Sequence, residues 1–151
     1  MRPTGVGIVD HVLGGFPPGL PLVLAGESGS GRTVLSLQLA QAALERGEIV
    51  ELVSSEPAPS LLHQARALGF PFEQAVADGR LALLELDASA ASLVRAQGVA
   101  PLVAALQAEA PDAGLVLVDP FTALTAEIVD EPKLREVGRA LVRSIAARHL
   151  V

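Results

Sequence analysis

The stretch Gly26-Glu27-Ser28-Gly29-Ser30-Gly31-Arg32-Thr33 has types and spacing that could do phosphate chemistry. It reads G-x-x-x-x-G, then a cation, then a hydroxyl, which fits a Walker A loop at every position but one, where Arg32 stands for lysine. Gly29 and Gly31 can take positive φ without a Cβ clash, so consecutive backbone N–H groups can converge on a β-phosphate. A helix opening near Thr33 and Val34 adds the positive end of its dipole at the same point, and the Thr33 hydroxyl is placed to ligate Mg²⁺. The alternative is an ordinary Gly/Ser turn between strand and helix, which the spacing and setting disfavour. Arg32 is cationic and phosphate-seeking, but its planar fork is longer and bulkier than a lysine ammonium, so the exchange is not conservative. Three outcomes follow from it: nucleotide binding with slow hydrolysis, binding without hydrolysis, or loss of nucleotide. The first two together are favoured over the third.

Two carboxylates complete the set. Asp119 ends the apolar run Leu115-Val116-Leu117-Val118, the pattern of the acidic partner that holds the Mg²⁺ shell of a phosphate loop. Taken alone, an Asp capping the next turn, helped by Pro120, is the better reading; paired with residues 26–33 the metal role gains. Glu56 stands just beyond another apolar run, where a carboxylate could polarise an attacking water as general base. By residue statistics alone a solvated loop glutamate is the better account of it.

These residues need a scaffold that gathers strand ends and loops. Apolar runs at 21–25, 49–54, 81–86 and 115–119 predict strands, and helical spacing predicts helices over 33–46, Ser60 to Leu68, 72–78, 92–109 and 133–148. Ser60 is taken as an N-cap, Gly47 and Gly69 as helix stops, and the 92–109 helix as interrupted near Gly98 and Pro101. Leu134, Val137, Leu141 and Ile145 mark the buried face of the last helix, and His149-Leu150-Val151 is read as opening a further strand. Residues 1–19 read as a lead-in with a short amphipathic turn, closed by the breaker cluster Gly14-Gly15-Phe16-Pro17-Pro18-Gly19. Strand alternating with helix predicts one α/β domain over residues 1–151: a mostly parallel sheet with helices on both faces. In such sheets ligands gather at the carboxyl ends of strands, where the loop, Glu56 and Asp119 all fall.

Composition narrows the function classes. Half the residues are hydrophobic and mean hydropathy is +0.47, yet no apolar run reaches the ~18–20 residues of a membrane span. Strands buried on both faces account for the excess. There is no cysteine, and Met1-Arg2-Pro3-Thr4-Gly5 has no apolar stretch behind it, so the chain is read as cytoplasmic. A net charge of −6, with no Trp or Tyr, argues against nucleic acid as a partner of this segment. Arg135, Arg139 and Arg143 make one helix face basic; this is read as solvated, with a subunit contact as the sharper alternative. His11, His63 and His149 show no metal spacing, and Thr122 and Thr125 are read as turn caps.

The combination resembles KaiC-like ATPases of the RecA superfamily. Thr4-Gly5, Asp10 and Gly14–Gly19 are similar to the T-G…D…L-G-G-G-x-P-x-G lead-in of that group. Val53-Ser54-Ser55-Glu56, Leu61-Leu62 and Arg66-Ala67-Leu68-Gly69 resemble its V-S-x-E-E…L-L-x-x-A-x-x-L-G segment, and Val118–Leu124 its V-I-D-S-L-T-A-L. The resemblance implies a RecA-like P-loop core binding ATP and Mg²⁺, assembled as a ring, with Glu56 activating water. Three departures stand out: Arg32, Pro57 where a second Glu is usual, and Pro120 for a common Ser. They point to weak or absent turnover. The family's C-terminal strands, one of which sits between the loop strand and the Asp119 strand, are expected to be missing from this core. Self-association or a partner chain would then cover the open edge. The expectation is a regulatory ATP-binding protein with slow Mg²⁺-dependent hydrolysis, acting in an oligomer. A pseudo-ATPase scaffold is the alternative, and a RecA paralogue assisting DNA repair is a third.

Overall fold

A computed structural model describes all residues except 18, 19 and 145–148. The expected Pro18 and Gly19 breakers and the Ile145 core position therefore lie outside the described residues. In chain order the elements are α1 (Gly7–Leu13), α2 (Arg32–Glu45), β1 (Val50–Ser54), α3 (Ala58–Ala67), α4 (Phe72–Ala77), β2 (Leu81–Glu85), α5 (Ala88–Gln97), α6 (Ala100–Glu109), β3 (Leu115–Asp119), α7 (Phe121–Thr125), α8 (Glu131–Ser144) and β4 (His149–Leu150).

The strands form one parallel sheet in the order β2-β1-β3-β4. Alternate strand residues go to opposite faces. Val50, Leu52, Leu81, Leu115 and Leu117 pack with Leu37, Leu39, Ala40, Ala43 and Leu44 of α2, and with residues of α3 and α4. Val53 and Val116 pack on the other face with Val94 of α5, Leu102 and Leu106 of α6, and Val137 and Leu141 of α8. The expected α/β architecture, with helices on both sides of a parallel sheet, is what the chain forms. The interruption predicted near Gly98 is the break between α5 and α6, where Gly98 has φ 75°.

Residues 21–25 differ from expectation: they belong to no strand. Among the described residues no backbone hydrogen bond joins them to the sheet. An apolar run becomes a strand only when a neighbour takes its N–H and C=O groups, and the position beside β3 is taken by β4. Val151 continues β4, its N–H donating to Val116 O at 2.8 Å and its carbonyl accepting from Val118 N–H at 2.7 Å. Residues 21–25 lie across a cleft from that edge, with Val23 79% exposed.

Two smaller corrections concern helix ends. The helix expected from Ser60 starts at Ala58, because Pro57 and Pro59 fit the first turn, where the missing N–H costs nothing. The turn expected after Asp119 is a short helix, α7, in which Thr125 is buried and Thr122 exposed. Arg135, Arg139 and Arg143 are exposed, and Arg135 pairs with Glu131 one turn back on the same helix. That is the solvated face expected of them.

The lead-in is fixed by a polar clasp. Asp10 of α1 turns back to accept the N–H groups of Thr4 at 2.6 Å and Gly5 at 3.0 Å, and Arg46 donates to the Thr4 carbonyl at 2.9 Å. The Thr4 N–H, ahead of the other groups, holds the Asp10 carboxyl below the usual carboxylate range. A depressed folded-state pKa gives stability that is full above the ordinary carboxylate pKa and lost as pH falls through the folded value. Asp10→Asn is therefore expected to flatten the acid limb of the stability profile, read by denaturant melts from about pH 6 to about pH 2. A limb as steep as that of the parent would contradict this.

Candidate functional site

The loop is built from two glycines in the left-handed region, Gly29 (φ 81°) and Gly31 (φ 87°), between the segment 21–25 and α2. Ser30 N–H donates to Glu27 O at 3.1 Å, so Glu27 to Ser30 form a tight turn. Helix α2 opens at Arg32, and Leu35 N–H donates to Gly31 O at 2.9 Å. No side chain caps this end, and among the described residues the N–H groups of Gly31, Arg32, Thr33 and Val34 have no hydrogen-bond acceptor. Four orphan donors at the positive end of a 14-residue helix form a site for an anion.

Gly26 begins the loop at close quarters. A Cβ built there would lie 2.5 Å from Ser30 Oγ and 3.2 Å from Ser30 Cβ. Gly26→Ala is accordingly expected to turn the Ser30 hydroxyl aside and move its Cβ by a few tenths of an ångström, weakening nucleotide binding about threefold, or ~0.6 kcal/mol. Isothermal titration with ATP checks this, and an unchanged affinity would refute it.

Asp119, at the end of β3, is half-buried. The β1–β3 register pairs it with Ser54, and the pleat puts it on the α2 side of the sheet with Leu115 and Leu117. Gly26, Arg32 and Asp119 line one cleft of about 450 Å³, walled by Leu22, Leu24 and Val118. Arg32 and Asp119 form no ion pair with each other, nor with any other described residue. A cation and a carboxylate facing one cleft without neutralising each other leave both charges for a ligand.

The structure thus brings Gly26, Arg32 and Asp119 together, with Thr33 half-buried beside Arg32 and Val34 40% exposed. Glu27, Ser28, Gly29, Ser30 and Gly31 are exposed along the loop. Glu56 is not on the cleft wall; it lies two residues beyond Ser54, the register partner of Asp119. Its Oε2 accepts from Gln64 Nε2 at 2.6 Å and from Ser60 Oγ at 3.0 Å, and its N–H donates to Ser54 Oγ at 3.1 Å. Sequence reasoning missed these donors. Their signal was the four-residue spacing of Ser60 and Gln64, which stacks them on one face of α3, with Glu56 four residues before Ser60 at the mouth of the helix.

Comparison with known proteins decides the kinship, since the family described as "ATPase: KaiC" matches residues 2–151. The chain belongs to the KaiC ATPase family. Family membership implies nucleotide binding, in agreement with the uncapped loop. Within the family, the chain is 33% identical over 82 residues to the circadian clock protein KaiC2 of Synechocystis sp. (strain ATCC 27184 / PCC 6803 / Kazusa). That match covers 52% of this chain and 14% of the relative, so it spans only a small part of the clock protein. Among the described residues no helix is long and apolar enough to cross a membrane, and no cluster of three or more His, Cys, Asp or Glu forms a metal site.

Proposed function

We propose that this protein binds ATP with Mg²⁺ at Gly26–Val34 and Asp119, and hydrolyses it slowly. The observation that carries the reading is the joint one at the mouth of α2. Four orphan N–H groups meet a cation, Arg32, and a carboxylate, Asp119, that have no ion-pair partner among the described residues, beside one cleft. The donors suit phosphate oxygens. The Thr33 hydroxyl and the Asp119 carboxylate are the oxygen ligands that suit Mg²⁺, a hard cation that keeps much of its water. When bound, Mg²⁺ would offset phosphate charge; the chain's own residues supply the rest. The loop orients the triphosphate, Arg32 meets charge on the β- and γ-phosphates, and Glu56 takes a proton from water.

Slow turnover follows from Arg32, whose fork fills more space than an ammonium and spreads its charge over three nitrogens. The reading extends to action within an oligomer. Ile8 and Val12, each 68% exposed, Leu13 at 45% and Val23 at 79% supply apolar surface for a neighbouring subunit.

Titration calorimetry with ATP, with and without Mg²⁺, tests binding, and phosphate release tests turnover. Saturable Mg²⁺-dependent binding with measurable release supports the proposal, and absence of binding overturns it. Binding without release would favour a pseudo-ATPase, for which the replaced lysine is the supporting feature.

A further inference from the structure

The carboxylate of Glu56 is held by the helix that follows it, α3. Gln64 Nε2 and Ser60 Oγ both donate to one oxygen, Oε2, at 2.6 and 3.0 Å, while Oε1 accepts from no described residue. The backbone is fixed as well, since Glu56 N–H donates to Ser54 Oγ at the end of β1, in register with Asp119. Both side-chain donors are on α3, outside the phosphate loop and the cleft that Arg32 and Asp119 line. They are neutral, and Glu56 makes no ion pair among the described residues.

A glutamate side chain has three rotatable torsions, and a base must hold its lone pair toward the water it deprotonates. Misplacement by about 1 Å can cost 10²-fold in rate. A lysine or arginine partner would fix the carboxylate but strongly favour its charged form against accepting a proton. An amide and a hydroxyl orient it without bringing a charge.

We propose that Gln64, with Ser60 beside it, is a positioning residue for hydrolysis: it pins Oε2 so that Oε1 faces the attacking water. This rests on the reading of Glu56 as the general base. In the step served, the water oxygen bonds to the γ-phosphorus as the bond to the β,γ-bridging oxygen breaks. The electron pair stays on ADP, and the water proton passes to Glu56 Oε1 and then to the released phosphate.

The test compares phosphate-release kinetics and ATP affinity for the parent, Gln64→Leu, Ser60→Ala, Glu56→Gln and the Glu56→Gln/Gln64→Leu double variant. Gln64→Leu is expected to lower kcat about tenfold or more, with KM and ATP affinity unchanged, and Ser60→Ala about threefold. In the Glu56→Gln background, Gln64→Leu should change kcat by less than about twofold, because it acts only through the carboxylate. If Gln64→Leu fails to fold by thermal melting, Ser60→Ala, which removes only a hydroxyl, carries the test. Full kcat in the Gln64 and Ser60 variants, with kcat lost in Glu56→Gln, overturns the positioning role and leaves the base. Equal loss from Gln64→Leu in both backgrounds marks a structural role and also overturns it. A Glu56→Gln protein as fast as the parent, or a parent without turnover, overturns the base reading and this proposal with it.

Discussion

Replacing Glu56 with Gln is expected to lower kcat for ATP hydrolysis by about 10²–10⁴-fold, the range for loss of a general base, while ATP affinity stays within about twofold. The asymmetry follows from position. Gly26, Arg32 and Asp119 share the cleft, and the uncapped α2 terminus offers its donors beside them, so ground-state binding is assigned to groups that the substitution leaves alone. Glu56 lies off the cleft wall and is tied to α3, so on the proposed reading its loss would leave binding intact and be felt in the chemical step. The glutamine keeps the volume and can still take the Gln64 and Ser60 hydrogen bonds through its amide oxygen. A fall in rate would therefore report the lost proton acceptor rather than a collapsed loop. Phosphate release under saturating ATP, beside calorimetric titration, separates the two effects. A Glu56→Gln protein that binds ATP tenfold more weakly and turns over normally would mean that Glu56 serves the nucleotide.

The contrast between the loop and Glu56 also shows what the sequence could disclose. The turn and helix start at residues 26–33 were legible because two glycines at fixed spacing and the helix after them already specify where the backbone N–H groups go. β3 was legible because burial on both faces demands an unbroken apolar run, β1 because its apolar residues outweigh the buried Glu51 between them, and Asp119 because it interrupts such a run at its end. The segment 21–25 has the same apolar signature as β3 and yet joins no ladder. Hydrophobicity reports burial, whereas a ladder needs a neighbour at the right distance, and that is a property of β4 and Val151 as much as of residues 21–25. The same limit hid the surroundings of Glu56. A lone glutamate after a strand is a surface residue by statistics, and only α3, starting earlier than Ser60, turns Ser60 and Gln64 toward it. Arg32 was legible as a cation, but its freedom from Asp119 was not, because that depends on the cleft standing open between them.

That freedom makes Arg32→Lys the most direct test of whether the arginine restrains turnover. Lysine at this position is expected to raise kcat about ten- to a hundredfold, equivalent to one charge-assisted hydrogen bond gained in the transition state. Arg32 opens α2 and lines the cleft with no ion pair among the described residues, so the exchange breaks no described contact that stabilises the fold. Its effect on thermal stability should be within about ±0.5 kcal/mol, as for substitutions away from packed or paired sites. What changes is the shape of the cation. A guanidinium presents a plane of donors that suits two oxygens of one phosphate, while an ammonium is a point that can sit between the β- and γ-phosphates and follow the charge as it shifts toward the leaving group. Arg32→Ala provides the opposite arm: with no cation beside the orphan N–H groups, ATP affinity should fall about tenfold or more. If Arg32→Lys binds ATP as the parent does and releases phosphate no faster, the arginine is not what restrains turnover. The restraint would then be sought at Pro57, next to Glu56, where the resemblance to KaiC-like ATPases implies a second carboxylate.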